Sequence, residues 1–238
     1  MISLAQSGPV VTLTLDKPAT RNALRIADWH ALADAVAGVE ARVIILRSAV
    51  PGSFSAGADI AEMAALAADP AARPAFRQAM RRAIDGLANA PAPVIALIEG
   101  GCFGAAVALA AAADVRIAGP EARFAITPAR LGIGYPAADV ARIGALIGPG
   151  QLSRLLLGAA SIDGAEAARI GLAEMIGGEA DAMTLGEAIA ANGPGAVALL
   201  RRTIRGEAGD GEFDAAFDGP EFAEGLAAFR EKRKPRFT

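Results

Sequence analysis

The chain has 238 residues, enough for one large α/β domain or two small ones. Apolar residues make up 53% and charged residues 21%, which excludes a disordered chain, and a net charge of −3 gives no long-range attraction for nucleic acid. Aromatics reach only 5% while Gly numbers 27, a bias toward close helix–sheet packing and away from an aromatic recognition surface.

Along the chain, Val10–Leu15 alternates Val and Leu with Thr and predicts a half-buried strand ended by Asp16-Lys17-Pro18. Asn22 onward leads to a helix that ends near Gly38, with His30 in its Ile26–Val36 stretch, and a compact strand follows over Arg42–Arg47. Pro51-Gly52-Ser53 turns the chain into Phe54-Ser55-Ala56-Gly57-Ala58-Asp59, which opens a helix through Met63 and Leu66, and a second helix is expected over Ala75–Leu87. Pro93–Glu99 predicts a strand, followed by Gly100-Gly101 and a small-residue helix over Gly104–Ala112. Asp114–Ala118 and Arg123–Thr127 predict short strands. Beyond Asp139 the pattern is helical, over Asp139–Ile147, Leu152–Leu157, Ala165–Ile170, Leu185–Ala191, Gly195–Arg205 and Phe222–Phe229, with Leu172–Ile176 extended. Strands alternating with helices and then a helical end predict one α/β core with a C-terminal helical region. The basic segment Arg230–Arg236 reads as a solvated end or as a charged functional tail.

Single residues narrow the chemistry. Cys102 is the one cysteine, so no internal disulfide forms, and a reducing cytoplasm is the expected location. His30 is the one histidine, which leaves no His-rich metal cluster; no metal site is expected. Any histidine-based triad would have to use His30, which falls in a predicted helix remote from every glycine-rich loop. The opening Met-Ile-Ser-Leu-Ala carries no signal-peptide pattern, and the Ala-rich run Val94–Ala113 is interrupted by Glu99, Gly100, Gly101 and Gly104, so no membrane partner is expected.

The constellation with most chemistry in it is a pair of strand–turn–helix junctions, each passing from a Val/Ile-rich strand through Gly, Ala and Ser into a helix start. Unpaired amides at such junctions point outward. Were the two strands neighbours, Ala58 and Ala105 would offer two N–H groups to one carbonyl oxygen, the layout of an oxyanion hole. Small-residue turns are also common in α/β proteins, so packing alone accounts for them equally well. A dinucleotide-binding reading of Gly100, Gly101 and Gly104 fails on spacing, since no Gly-x-Gly-x-x-Gly follows an early strand.

Phe54-Ser55-Ala56-Gly57-Ala58-Asp59-Ile60 resembles the first oxyanion-loop motif of the enoyl-CoA hydratase/isomerase (crotonase) superfamily. Pro91–Ala96 with Gly100, Ala108-Leu109-Ala110, Asp114–Ala118, Ala122-Arg123-Phe124, Leu131-Gly132, Gly148-Pro149, Ala165-Glu166-Ala167 and Ile170-Gly171-Leu172 continue the match. Glu224-Gly225 and Ala228–Arg233 close it, so the resemblance runs in order from Val10 to Phe237. It implies an α/β fold, a crotonase-like spiral of ββα units with a C-terminal helical oligomerisation region. Residues 1–180 would form the acyl-CoA-binding core and 181–238 the helical region of the same unit, in a homotrimer or dimer of trimers. It also implies an acyl-CoA substrate, with coenzyme A entering as part of the thioester and no permanently bound cofactor. Asn22, Ala23, Leu24 and Ala56 lie where the family contacts coenzyme A, and Phe229 and Lys232 where it reaches a coenzyme A held by a neighbouring subunit.

The catalytic pattern departs from the family's. Its hydratases usually carry two glutamates, and the corresponding positions here are Ala108 and Ala129, which neither take nor give a proton. The second loop has Ala105 and Ala106 in place of glycines. Thr127-Pro128 and Leu131–Tyr135 resemble the branch containing methylmalonyl-CoA decarboxylase, which implies that Tyr135 holds a substrate carboxylate, although that branch carries histidine where this chain has Ala58. Asp139 lies near the position from which other branches supply a carboxylate; helix capping is its alternative reading. Glu62 is expected on a solvated helix face, Asp59 as a first-turn acid and Cys102 as a buried small residue. The residues imply decarboxylase- or isomerase-like enolate chemistry, or a catalytically weak acyl-CoA-binding protein.

Overall fold

A computed structural model describes residues 2–237. Two stacked sheets organise the chain. The larger has the order β1 (Ile2–Ser7), β2 (Val10–Leu15), β3 (Val43–Ser48), β5 (Val94–Ile98), β7 (Val115–Ala118) and β10 (Met175–Ile176). The smaller has β4 (Ser53–Ser55), β6 (Gly101–Phe103), β8 (Arg123–Ala125) and β9 (Ser161–Asp163). The chain climbs through both in step: β3 then β4, β5 then β6, β7 then β8. Pairing is parallel from β2 to β3, β5, β7 and β10, and parallel along β4–β6–β8. These repeated ββ steps, each followed by helix, form the ββα spiral that the sequence resemblance implies.

The larger sheet is buried on both faces, which is why β3 and β5 are continuous apolar runs. Leu13, Leu15, Ile44, Leu46, Ala96 and Ile98 face one core with Trp29 and Leu32 of α1 (Ile26–Ala37), Ile84 and Leu87 of α3 (Arg73–Ala88), and α4 (Ala105–Ala111). The alternating residues Val10, Val43, Ile45, Ile95, Leu97 and Ile117 face α7 (Glu179–Ala190). Gly186 of α7 faces this layer, where an added Cβ would make ordinary contact at 3.6 Å with Ile45 and Val10. Helix α2 (Ile60–Ala68) follows β4; α5 (Ala137–Gly158) is broken at Gly148, whose φ of 73° and ψ of 164° are non-helical. That break matches the gap expected between Ile147 and Leu152. Helices α6 (Gly164–Ile170), α8 (Pro194–Ile204), α9 (Asp210–Ala215) and α10 (Pro220–Glu231) complete the chain, and no helix among the described residues is long and apolar enough to cross a membrane.

Asn22 is left-handed at φ 56° and leads into α1, which starts at Ile26 as expected. Other elements differ from expectation. The turn at Gly100-Gly101 contains strand β6, and β1, β4, β9 and α9 were not expected. The basic tail is exposed yet tied down: Arg233 pairs with Glu224, which also accepts the Arg236 N–H at 2.6 Å, and Arg42 donates to the Phe237 carbonyl at 2.7 Å. Arg233 and the Arg236 N–H hold the Glu224 carboxyl down at about 2.

Gly100 makes the step between the sheets. Its φ is +75°, and a Cβ would stand 2.1 Å from the Gly52 carbonyl carbon. Gly100→Ala is expected to lower unfolding free energy by about 3 kcal/mol or more in urea titrations. Gly8→Ala, also at positive φ but facing open space, is expected to cost only about 1–2 kcal/mol. Equal losses at both positions would show that the close approach to Gly52 is not the constraint.

Candidate active site

The first loop is built on the segment before α1. Leu24 forms an isolated parallel bridge with Ala58: its N–H donates to the Gly57 carbonyl at 2.7 Å, and its carbonyl accepts the Asp59 N–H at 3.0 Å. Such a bridge consumes peptide groups on both sides of Ala58 and directs Ala58's own N–H away from Leu24. The Ala56 N–H goes to the Arg21 carbonyl and the Gly57 N–H to the Ser55 hydroxyl. Among the described residues the Ala58 N–H has no acceptor.

The second loop runs beside it because β4 pairs with β6. Gly57, at φ +84°, touches this loop: a Cβ there would stand 2.4 Å from the Phe103 carbonyl oxygen and 2.9 Å from the Ala105 nitrogen. Only glycine allows this approach. Gly104 precedes α4 with φ 55° and ψ −124°, and Ala105 is the first residue of that helix, where an N–H has no intrahelical partner. The N–H groups of Ala58 and Ala105 thus belong to touching segments. Helix α4 has seven residues, so these donors act as individual peptide groups and not through a helix dipole. Ala58 is half-buried and Ala105 is buried, with no side chain larger than a methyl group at either position.

Tyr135 enters from the loop before α5. Its hydroxyl donates to the Gly104 carbonyl at 2.9 Å. Burial first, then the charge of Asp139, pushes the phenol upward, so it keeps its proton. Asp139 is 3% exposed and accepts from Arg142 at 3.2 Å, and Arg142 also donates to Asp85 at 2.9 Å. Arg81 pairs with Asp85 as well. Burial raises the Asp139 carboxyl above the usual range against the opposing pull of Arg142 and Arg81. The capping alternative for Asp139 does not hold: Pro136 occupies the N-cap of α5 and no side chain caps it. Asp85 and Arg142 carry no sequence signal; the Arg142–Asp85 pair, reaching from α5 to α3, joins them to Asp139.

Of the coenzyme A positions implied by the resemblance, Asn22 is buried and fully engaged. Its amide donates to Ser48 Oγ at 2.8 Å and to the Phe54 carbonyl at 2.9 Å, and its oxygen accepts the Lys17 N–H at 2.7 Å. The Ala23 carbonyl accepts from Lys17 Nζ at 3.1 Å. Asn22, Ala23 and Leu24 therefore build the scaffold beneath Ala56–Asp59, with Ala56 half-buried on its edge. Phe229 is 82% exposed on α10, and Lys232, exposed at φ 55°, ends that helix. Ala108 is buried in α4, whereas Ala129 is exposed in the turn Pro128–Leu131.

The remaining candidates are structural. Asp59 is the N-cap of α2, accepting the Glu62 N–H at 3.0 Å and pairing with Arg25 at 3.3 Å; the backbone bond to Glu62 leads in holding its carboxyl down. Glu62 is not simply solvated: it accepts the Ile26 N–H at 2.8 Å and secures the start of α1. Cys102 is fully buried, which pushes its thiol upward, and His30 is exposed beside Arg82. Two surface cavities lie elsewhere, one beside Arg42 and Arg201 and one among the C-terminal helices.

The family description "Enoyl-CoA hydratase/isomerase" matches residues 5–238. The chain belongs to this family. It is 31% identical to the "Probable enoyl-CoA hydratase 2, mitochondrial" of Arabidopsis thaliana, over all of this chain and 84% of that protein. It is also 31% identical to the short-chain-enoyl-CoA hydratase of Clostridium acetobutylicum, covering 98% of this chain and 95% of that one. The crystal structure of enoyl-CoA hydratase from Bacillus anthracis superposes with a TM-score of 0.92 at 30% identity, covering 99% and 98% of the two chains.

The Asp139 network yields a signed pH prediction. A carboxyl whose pKa rises on folding weakens the folded state as pH climbs from the unfolded value through the folded one, with the full penalty above the latter. Asp139→Asn is therefore expected to raise stability at neutral pH, and the gain should vanish below the ordinary value of 3.8. Urea titrations on both sides of that pH check it. A loss at neutral pH would show that pairing with Arg142 outweighs burial.

Proposed function

We propose that the chain binds an acyl-CoA thioester with its carbonyl oxygen between the Ala58 and Ala105 N–H groups and stabilises the enolate formed there. The carrying observation is that these two unpaired donors sit on touching segments, in a chain of the enoyl-CoA hydratase/isomerase family. Donors fixed before reaction stabilise developing negative charge without having to reorganise, and one such donor is typically worth about 10²–10³ in rate. Alanine at 108 and 129 exchanges no protons, so hydration through a glutamate pair has no support here. The reading is lyase or isomerase chemistry of the decarboxylase or double-bond-shifting kind, with Asp139 as the carboxyl available for proton transfer. Decarboxylation needs only a stabilised enolate and a fitting orientation.

Coenzyme A lies along the 22–24 segment and Ala56 in this reading, and Phe229 and Lys232 reach the coenzyme A of a neighbouring subunit. Assembly as a homotrimer or dimer of trimers is supported by the apolar surface of the C-terminal helices. A groove of about 890 Å³ there is lined by Leu199, Phe213, Phe217, Phe222, Leu226 and Phe237. The second reading, an acyl-CoA-binding protein with little chemistry left, is favoured by the two alanines alone.

A mass-spectrometric screen across crotonyl-CoA, a 3-enoyl-CoA and methylmalonyl-CoA is expected to show binding of all three, weak hydration, and turnover of one of the latter two. Ala105→Pro deletes one donor at the first helical position, where proline is tolerated. It should cut that turnover about 10²–10³-fold with the fold retained by circular dichroism. Efficient crotonyl-CoA hydration would overturn the reading, and binding of all three without turnover would favour the second. Light scattering on the purified protein should give a trimer or hexamer; a monomer at micromolar concentration would contradict the assembly.

A further inference from the structure

We propose that Tyr135 is a positioning residue for the second backbone donor: by donating to the Gly104 carbonyl, its hydroxyl fixes and strengthens the Ala105 N–H. This rests on the oxyanion reading above and extends it to a side chain that need not touch the substrate. The Gly104 carbonyl and the Ala105 N–H are opposite ends of one planar peptide group, so orienting the carbonyl orients the N–H. Local backbone preference does little to hold that plane, because Gly104 sits at φ 55° and ψ −124°, open only to glycine. Hydrogen bonds must hold it instead. The Gly104 carbonyl accepts from the Val107 N–H at 3.0 Å and from Tyr135 at 2.9 Å, while the Gly104 N–H is tied to the Ala125 carbonyl at 2.9 Å.

The tyrosine bond also acts electronically. A donor on the carbonyl polarises the peptide and makes its N–H a better donor, by on the order of 10–30% per bond in condensed-phase estimates. Burial pushes the phenol upward, so it keeps its proton and can donate at neutral pH. A phenol has one hydrogen, and committed to Gly104 it cannot also be given to a substrate carboxylate. In this proposal Tyr135 supports the backbone donor and does not contact a substrate carboxylate.

Tyr135 is the only tyrosine in the chain, which makes the test clean. Biosynthetic replacement of all tyrosine by 3-fluorotyrosine changes this one phenol to a stronger hydrogen-bond donor of nearly the same shape, and Tyr135→Phe removes the donor. The readout is the carbonyl stretch of bound crotonyl-CoA carrying ¹³C at the thioester carbon, by isotope-edited infrared spectroscopy. The expected order of downshift from free ligand is fluorotyrosine above tyrosine above phenylalanine, with the phenylalanine variant lower than wild type by about 10–30%. A downshift present in wild type but equal in all three proteins, even with altered melting temperatures, would overturn the positioning role and leave the oxyanion reading intact. No downshift in wild type would remove the oxyanion reading itself and the role of Tyr135 with it.

Discussion

Leu24 takes the hydrogen bonds on either side of Ala58 and leaves Ala58 with none. That bridge sets the geometry of the candidate site, because it leaves the Ala58 N–H facing away from Leu24 in a segment whose Gly57 touches the loop where β6 meets α4. A half-buried peptide N–H with no acceptor costs about 1–3 kcal/mol in the free protein. The surrounding structure meets that cost: Asn22, Ser48 and Ser55 are buried and joined by hydrogen bonds beneath the loop, and Glu62 and Asp59 secure the helix starts beside it. An incoming thioester oxygen would satisfy the donor that folding leaves bare.

Glycine supplies the second constraint. At Gly57 any side chain would strike the Phe103 carbonyl and the Ala105 nitrogen, and at Gly100 it would strike the Gly52 backbone. Both glycines let two successive ββ steps approach until their backbones touch. The site is consequently made of main chain, and side-chain chemistry stands behind it: Tyr135 on the Gly104 carbonyl, then Asp139, Arg142 and Asp85. This division fits the function proposed above for a chain of the enoyl-CoA hydratase/isomerase family: stabilising an enolate would depend on backbone donors, and Ala108 and Ala129 exchange no protons.

Much of the fold could be read from the chain. The buried strands β2, β3, β5 and β7 announce themselves by apolar runs or alternation, and the break in α5 by Gly148-Pro149. Strands β4, β6 and β9 have three residues each, too few for a period of two to register, and β1 is an exposed edge strand of mixed polarity. The short helix α9 begins Asp-Gly-Glu, with glycine at a position where helix propensity is poor. Ala58, Ala105, Tyr135 and Asp139 were each legible as candidates through motif resemblance. Their relations were not. The bond from Tyr135 to Gly104 spans 31 positions and that from Arg142 to Asp85 spans 57, and nothing local encodes either. The hydrogen bonds that make Asn22 a structural post as well, to Ser48, Phe54 and Lys17, are equally invisible in the sequence.

The most direct test of the account is a crystal structure of the protein with a non-hydrolysable acyl-CoA analogue that keeps the acyl carbonyl. The account predicts that its oxygen lies about 2.7–3.1 Å from both the Ala58 and Ala105 nitrogens. A carbonyl seated away from these two amides, with the analogue fully occupied, would contradict it.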